Sequence, residues 1–309
     1  MKKPAVIIVI PTWNGWENVN ACLETVVQQT YEGELKVIVV DNGSTDGTAE
    51  KMARTWQSVD CIRLHDNRGF TGACNRGITR ALEMGCDYVV LVNNDTLLDR
   101  HMVDGLVEAG EANQDAALLN PLICYAGAPD IVWANGNFLS LFSAMGGGAD
   151  NGRRRADVEA EGLKQVDAAT GCILMARSGV LREVGILSEK LFMYYEDADL
   201  SVRVRHAGYR ILAVPKALAW HEISSDIRRN VDYSAFSYYY NIRNRLTLMA
   251  EHAHWYHWPV FVLRFSFWSA YKLSGLMVLG RHAKRRAIMD GIRDFVRQHY
   301  PARKYEPRG

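Results

Sequence analysis

Apolar runs cut off by small polar residues, with stretches of helical spacing between them, set the rhythm of the first hundred residues. Residues 5–10 are continuously apolar and stop at Pro11-Thr-Trp-Asn14; a helical stretch follows from about Glu17 to Gln29. Leu35–Val40 is a second buried strand, ending on Asp41-Asn-Gly-Ser-Thr-Asp-Gly-Thr48. A helix over about 48–56 leads to a short strand at Cys61–Leu64, and Asn67-Arg-Gly-Phe-Thr-Gly opens a helix running to about Met84. Tyr88-Val-Val-Leu-Val92 is rich in β-branched residues, the signature of a buried parallel strand, and it stops at Asn93-Asn-Asp-Thr96. Such alternation predicts βαβ units, a parallel sheet and right-handed crossovers. It sends every strand to one edge, where open α/β sheets bind their ligands.

Beyond Asn120 the rhythm breaks. Gly146-Gly-Gly-Ala-Asp-Asn-Gly-Arg-Arg-Arg155 and the acidic stretch to Glu161 read as a flexible loop, its arginines as a solvated run. Strands are expected at Ala169–Ala176 and Tyr209–Val214. Between them Phe192-Met-Tyr-Tyr leads into a helix whose first turn, Glu196-Asp-Ala-Asp199, is acidic. Tyr238–Arg245 is helical in pattern. Trp255–Gly280 is apolar but interrupted by Arg264 and Lys272, whereas a clean spanning helix wants about 20 apolar residues in a row. It is expected to lie in a membrane interface, with Trp255, Trp258 and Trp268 at headgroup level and Arg281–Arg286 on anionic lipid. The other reading is an amphipathic helix packed on the main domain or on a second subunit. The expected division is a domain over 1–226 and a helical, basic and aromatic region over 227–309.

Charge sharpens that division. From Ile227 onward 15 Lys and Arg face 5 Asp and Glu, while the first 226 residues carry 21 against 30. A basic end on an acidic body suits a polyanion, either a membrane surface or a nucleic acid. The six cysteines stand singly with no C-x-x-C pair, the usage of reduced thiols in a cytosolic protein. The apolar run after Lys2-Lys3 is too short for a signal peptide and ends in a turn.

Five places could carry chemistry. Asp95, at a strand end between amides, suits a hard divalent cation bearing diphosphate oxygens; the plain alternative is turn chemistry. Asp41, at another strand end, can accept from a uracil or thymine N–H or a ribose hydroxyl, while Pro11-Thr12-Trp13-Asn14 offers a hydroxyl, an amide and a ring on the same edge. Asn67 and Asn75 flank a glycine-rich helix opening, where N–H groups favour phosphate. Glu196 and Asp197 could take a proton from an attacking hydroxyl, whereas Asp199 is expected to pair with Arg203. His221, after an apolar strand, is either a packed core histidine or the partner of Asp95 at a metal.

Pro11-Thr-Trp-Asn14, Val40-Asp-Asn-Gly-Ser-Thr-Asp-Gly-Thr48, Asn67-x-Gly-Phe-x-x-Gly-x-x-x-Gly77, Leu91-Val-Asn-Asn-Asp-Thr96, Phe192-Met-Tyr-Tyr-Glu-Asp-Ala-Asp-Leu200 and Pro215…His221 together resemble glycosyltransferase family 2, in particular its rhamnosyltransferase-like bacterial members. The resemblance implies a GT-A fold, Rossmann-like with a mostly parallel sheet flanked by helices, here with a C-terminal helical amphipathic extension. It implies inverting transfer from a nucleoside diphosphate sugar. Thr12, Asn14, Asp41 and Asn75 would hold the nucleotide, with Pro11, Asn67 and Asn94 beside them. Asp95, the last residue of the family's D-x-D motif, would bind Mg2+ or Mn2+ with His221, and Asp197 would be the base with Glu196 next to it. The departure is Asn93 at the motif's first acid. The expected donor is dTDP-rhamnose, then a UDP-sugar. The acceptor is expected to be a lipid-linked glycan in cell-surface polysaccharide synthesis, reached by a peripheral protein on the cytoplasmic face of the plasma membrane. No nucleic acid is expected as partner, and a homo-oligomer is left open. The alternatives are a UDP-hexose transferase with a soluble acceptor and a non-catalytic sugar-nucleotide-binding protein.

Overall fold

The computed structural model describes residues 2–222, 234–301 and 304–305. The chain runs β1 (Val6–Thr12), α1 (Trp16–Val26), β2 (Leu35–Asp41), α2 (Thr48–Thr55), β3 (Asp60–Arg63), α3 (Gly69–Glu83), β4 (Tyr88–Val92), β5 (Thr96–Leu98) and α4 (Met102–Ala112). It continues with β6 (Ala116–Tyr125), β7 (Ala128–Ala134), β8 (Asn137–Ser140), β9 (Met145–Gly148), α5 (Arg155–Glu161), β10 (Lys164–Gln165), β11 (Ile173–Arg177) and α6 (Ser178–Val184). Last come α7 (Glu196–His206), β12 (Arg210–His221), α8 (Ala235–His252), α9 (Trp258–Val278) and α10 (His282–Val296). The division expected at residue 226 falls outside the described residues.

The main sheet is ordered β10-β12-β6-β11-β4-β1-β2-β3, with β5 on β12 and β7 on β6. β3, β2, β1 and β4 are parallel neighbours, as are β12 and β6. β11 runs against both β4 and β6, so it approaches the ligand edge with its amino end. The expectation that every strand arrives in one direction is corrected there. All of β1 and β4 is buried because helices cover both faces. Ile8 and Ile10 face the α1 and α4 layer, while Ile7 and Val9 face α3 and α6. Each fully buried side chain of this kind is worth about 1.5–3 kcal/mol relative to exposure.

Residues 146–161 are not the loop their composition suggests. Met145–Gly148 pairs antiparallel with Asn137–Ser140. Arg153 pairs with Asp150 and Glu161, and Arg155 with Glu159, so these arginines are spent on local ion pairs and leave α5 formed. α8 and α10 are packed together, and α9 turns Phe261, Ser269 and Leu276 inward. Its outer face shows Leu263 (73% exposed), Phe267 (77%) and Tyr271 (70%). Trp255 stands in solvent, but Trp258 and Trp268 do not: they pack against the α8 cluster, and the Arg245 guanidinium lies 5.8 Å from the Trp268 ring. Among the described residues no helix is long and apolar enough to cross a membrane.

Candidate active site

The carboxyl ends of β1, β2 and β4 form one wall. A cavity of about 330 Å3 is lined there by Pro11, Thr12, Trp13, Asn14, Asn42, Asn67, Asn93, Asn94 and Asp95. Phe70, Phe192, Met193 and Phe236 close its far side. Thr12 Oγ1 accepts from Asn94 Nδ2 at 2.9 Å, tying the first strand end to the fourth. Asn14 sits at φ +47°, its N–H donates to Ser44 Oγ and its Oδ1 accepts from the Thr45 N–H, so the first and second ends are tied too. Asp41 is wholly buried; Oδ1 accepts from the Ser44 N–H at 3.1 Å, Oδ2 has no hydrogen-bond partner among the described residues, and Arg63 Nε stands 3.8 Å from it. An unpaired buried carboxylate oxygen is costly, which makes Asp41 a waiting acceptor.

Asp95 and His221 meet through sheet register. β5 pairs antiparallel with β12, setting His221 opposite Thr96, and the Glu222 N–H donates to the Asp95 carbonyl at 2.9 Å. Asp95 Oδ1 then stands 3.2 Å from His221 Nε2 without making a hydrogen bond. Adjacent ligands of an octahedral ion at about 2.1 Å are about 3.0 Å apart, so the pair has the spacing to grip one divalent ion. Asn93 Oδ1 is another buried acceptor without a partner among the described residues. The one group of three His, Cys, Asp or Glu residues close enough to share an ion among the described residues is Asp199, Glu251 and His252. Asp199 already accepts from Arg203 and bonds His252 at 2.8 Å, so that cluster is an ion-pair network. The i,i+4 pairing expected of Asp199 is present.

Asp197 reaches the same edge by way of β11. Ile173 is opposite Val92, and the Asn93 N–H donates to the Cys172 carbonyl. Next to it, the Gly171 N–H donates to Asp197 Oδ2 at 2.9 Å, while the Ala198 N–H donates to Oδ1 at 2.7 Å. Asp95 and Asp197 are therefore both anchored on the loop ends of one strand pair. Burial pushes both acids up. For Glu196 burial and then the neighbouring Asp197 charge lift the carboxyl to about 8. For Asp197 burial raises it and the backbone donors oppose the shift. Glu196 Oε2 has no hydrogen-bond partner among the described residues. Glu196 thus holds its proton more strongly, and Asp197, bonded by two amides, is the better anion.

Asp197 faces a second cavity, about 230 Å3, lined by Asn137, Gly146, Ala169, Tyr194, Tyr195 and Asn241. The segment 192–195 stands between the two spaces, with Phe192 and Met193 on one and Tyr194 and Tyr195 on the other. A third cavity shares Tyr195 and Asn241 and adds Arg245, Trp268 and Lys272.

Two expected nucleotide contacts are otherwise engaged. Asn75 is buried in α3, with Nδ2 donating to the Leu187 carbonyl and Glu189 and Oδ1 accepting from the Leu187 N–H. It lines a different cavity, with His65 and Arg76. Asn67 Oδ1 accepts from Asn42 Nδ2 and the Gly69 N–H, bracing the turn into α3, although its side chain borders the first cavity. The Trp13 ring expected on this edge lines the cavity, whereas sequence reasoning missed Asn42, Phe70 and Phe236. Asn42 lay inside a strand-end motif; Phe236 had no local signal, since it comes from α8.

The sequence profile of Glycosyl transferase family 2 matches residues 7–182, more than half of the chain. An N-acetylglucosaminyl-diphospho-decaprenol L-rhamnosyltransferase of Mycobacterium tuberculosis is 28% identical over 62% of this chain and 67% of its own length. A low-salt glycan biosynthesis hexosyltransferase of Haloferax volcanii is 27% identical over 69% and 66%. Among solved structures, GalNAc-T7 with UDP, GalNAc and Mn2+ superposes with a TM-score of 0.60 at 15% identity, over 71% of this chain and 43% of that one. The mannosyltransferase of Pyrobaculum calidifontis in complex with GDP-Man and Mn2+ gives 0.55 at 14% identity, over 96% and 88%. With its motifs gathered on one sheet edge and its profile spanning β1 to α6, this chain belongs to glycosyl transferase family 2 and has the GT-A fold.

Proposed function

We propose that the protein transfers a sugar, with inversion, from a nucleoside diphosphate to a hydroxyl of a lipid-linked glycan, rhamnose from dTDP-rhamnose being the first choice. The observation that carries this reading is the placement of Asp95 with His221 and of Asp197 on the loop ends of one strand pair, facing two cavities with residues 192–195 between them. In the first cavity Thr12 and Asn14 suit a nucleoside, with Asp41 buried at the end of β2 behind Asn42, and Asn94 would border its diphosphate. Asp95 and His221 would hold Mg2+ or Mn2+, which when bound neutralises charge on the leaving diphosphate. In the second, Asp197 accepts the proton of the acceptor hydroxyl. The freed oxygen bonds to the anomeric carbon from the face opposite the diphosphate, and the carbon–oxygen bond to the diphosphate breaks. Glu196, protonated at neutral pH, adds no competing charge.

The choice of rhamnose and of a lipid-linked acceptor rests on the mycobacterial relative, whose name carries both. Two features of this chain favour such an acceptor. Arg245 and Lys272 line the cavity beyond Asp197, and among the described residues no carboxylate lines it with them. The outer face of α9 is apolar and is followed by Arg281, Arg285 and Arg286, a pattern suited to an anionic membrane surface. Thermal-shift titration with dTDP- and UDP-sugars, with and without Mn2+, tests the donor: a ligand at 100 times its Kd stabilises by about 2.7 kcal/mol. Absence of any shift with every nucleotide sugar refutes the reading.

A further inference from the structure

The reading of Asp197 as base leaves two consecutive side chains of α8 without a task, Arg243 and Asn244, both completely buried. Asn244 Nδ2 stands 2.8 Å from the carbonyl oxygens of Leu191, Met193 and Tyr194. Arg243 Nη2 donates to the carbonyls of Lys190 at 2.8 Å and Leu191 at 2.9 Å. Arg243 Nε donates to Asn244 Oδ1 at 2.9 Å, which fixes the amide with its NH2 toward those carbonyls. The guanidinium has no carboxylate partner among the described residues and lies against the Tyr239 and Tyr240 rings, at 5.3 and 4.8 Å.

These contacts converge on an unusual piece of backbone. Phe192, Tyr194 and Tyr195 have φ of +62°, +69° and +71°. Left-handed conformations at non-glycine residues cost about 1–3 kcal/mol each and persist only where the surroundings over-determine them. α3 supplies the opposing hold, since the Thr71 N–H donates to the Phe192 carbonyl at 3.1 Å. The strained stretch borders both cavities and runs straight into Glu196 and Asp197.

We infer that Arg243 and Asn244 are positioning residues for the transfer reaction: they hold residues 191–195 in the left-handed path that aims the Asp197 carboxylate, which makes α8 part of the catalytic apparatus. This rests on the proposed role of Asp197. The test uses the full chain. Asn244→Asp keeps the volume and the Arg243 contact but replaces the NH2 donor by a carboxylate oxygen that repels the three carbonyls. A misplacement of about 1 Å at a reacting group costs about 100-fold, so kcat is expected to fall about 100-fold while dTDP or UDP affinity, measured calorimetrically, stays within about threefold. Independently of activity, hydrogen exchange of the peptide 191–197 is expected to quicken at least about tenfold, with β1 and β2 unchanged. Arg243→Lys, the milder variant, decides if Asn244→Asp does not fold; about a tenfold loss in kcat and faster exchange at 191–197 are expected. Parental kcat with parental exchange at 191–197 in the folded variant, or loss of kcat and nucleotide affinity together, overturns the inference. A parent that turns over no donor refutes the proposed function instead, and the exchange measurement still reads the clamp.

Discussion

Replacing Glu196 by Gln tests the electrostatics of the site through stability as well as turnover. The folded-state pKa of Glu196 is about 8 against an ordinary 4.5, because burial and the Asp197 charge disfavour its anion. Between those values the folded protein binds a proton that the unfolded chain has lost, so stability falls as pH rises. The contribution is fully present below 4.5, shrinks by up to about 1.4 kcal/mol per pH unit and is gone above about 8, on the order of 5 kcal/mol in all. Gln has no such ionisation. It instead buries an NH2 group where Glu196 Oε2 already lacks a partner, at about 1–3 kcal/mol independent of pH. The two stability curves should therefore cross: Gln the less stable near pH 5, the more stable near pH 8.5. Urea unfolding of both proteins at half-unit steps from pH 5 to 9 reads this directly. Parallel curves would show that Glu196 is not held protonated in the fold, and the assignment of Asp197 as the sole anion of the pair would go with it.

At pH 7 Glu196→Gln should keep turnover within about threefold, whereas Asp197→Asn should lose about 10²–10⁴-fold while nucleotide affinity holds; equal losses in both would move the base. Asp95→Ala and His221→Ala should each weaken donor binding in Mn2+ and leave binding in a chelator unchanged, which isothermal titration can separate. Leu263→Asp with Phe267→Asp should abolish sedimentation with vesicles containing anionic lipid without altering donor affinity; unchanged sedimentation refutes the membrane reading. Gly69→Ala should cut turnover, because φ is +75° there and a Cβ would sit 2.5 Å from the Phe192 ring, displacing the segment before the base; an unaltered kcat would mean that this path is not required.

The strand ends were legible because the chemistry is local. A β-branched run that stops at Asp41 or Asn93 needs only hydrophobic period and turn residues to be read. Asn75 was not legible: an amide in a glycine-rich helix opening looks the same whether it awaits phosphate or braces Leu187, and only the arrival of the 187–189 segment decides. Residues 146–161 mislead for a related reason, since Gly146 and Gly147 pair with a strand whose register comes from outside the segment.

By itself, then, the order of residues determined an α/β domain, its polar edge and the identity of Asp41, Asp95, Asp197 and His221 as candidates, because each follows from a short run and its own period. Tertiary structure decided which of them meet. The antiparallel register of β5 on β12 sets His221 beside Asp95, and β11, inserted against its neighbours, carries Gly171 to Asp197. Pairing register and the buried contacts of Arg243 and Asn244 depend on segments distant in the chain, so no local pattern could have carried them.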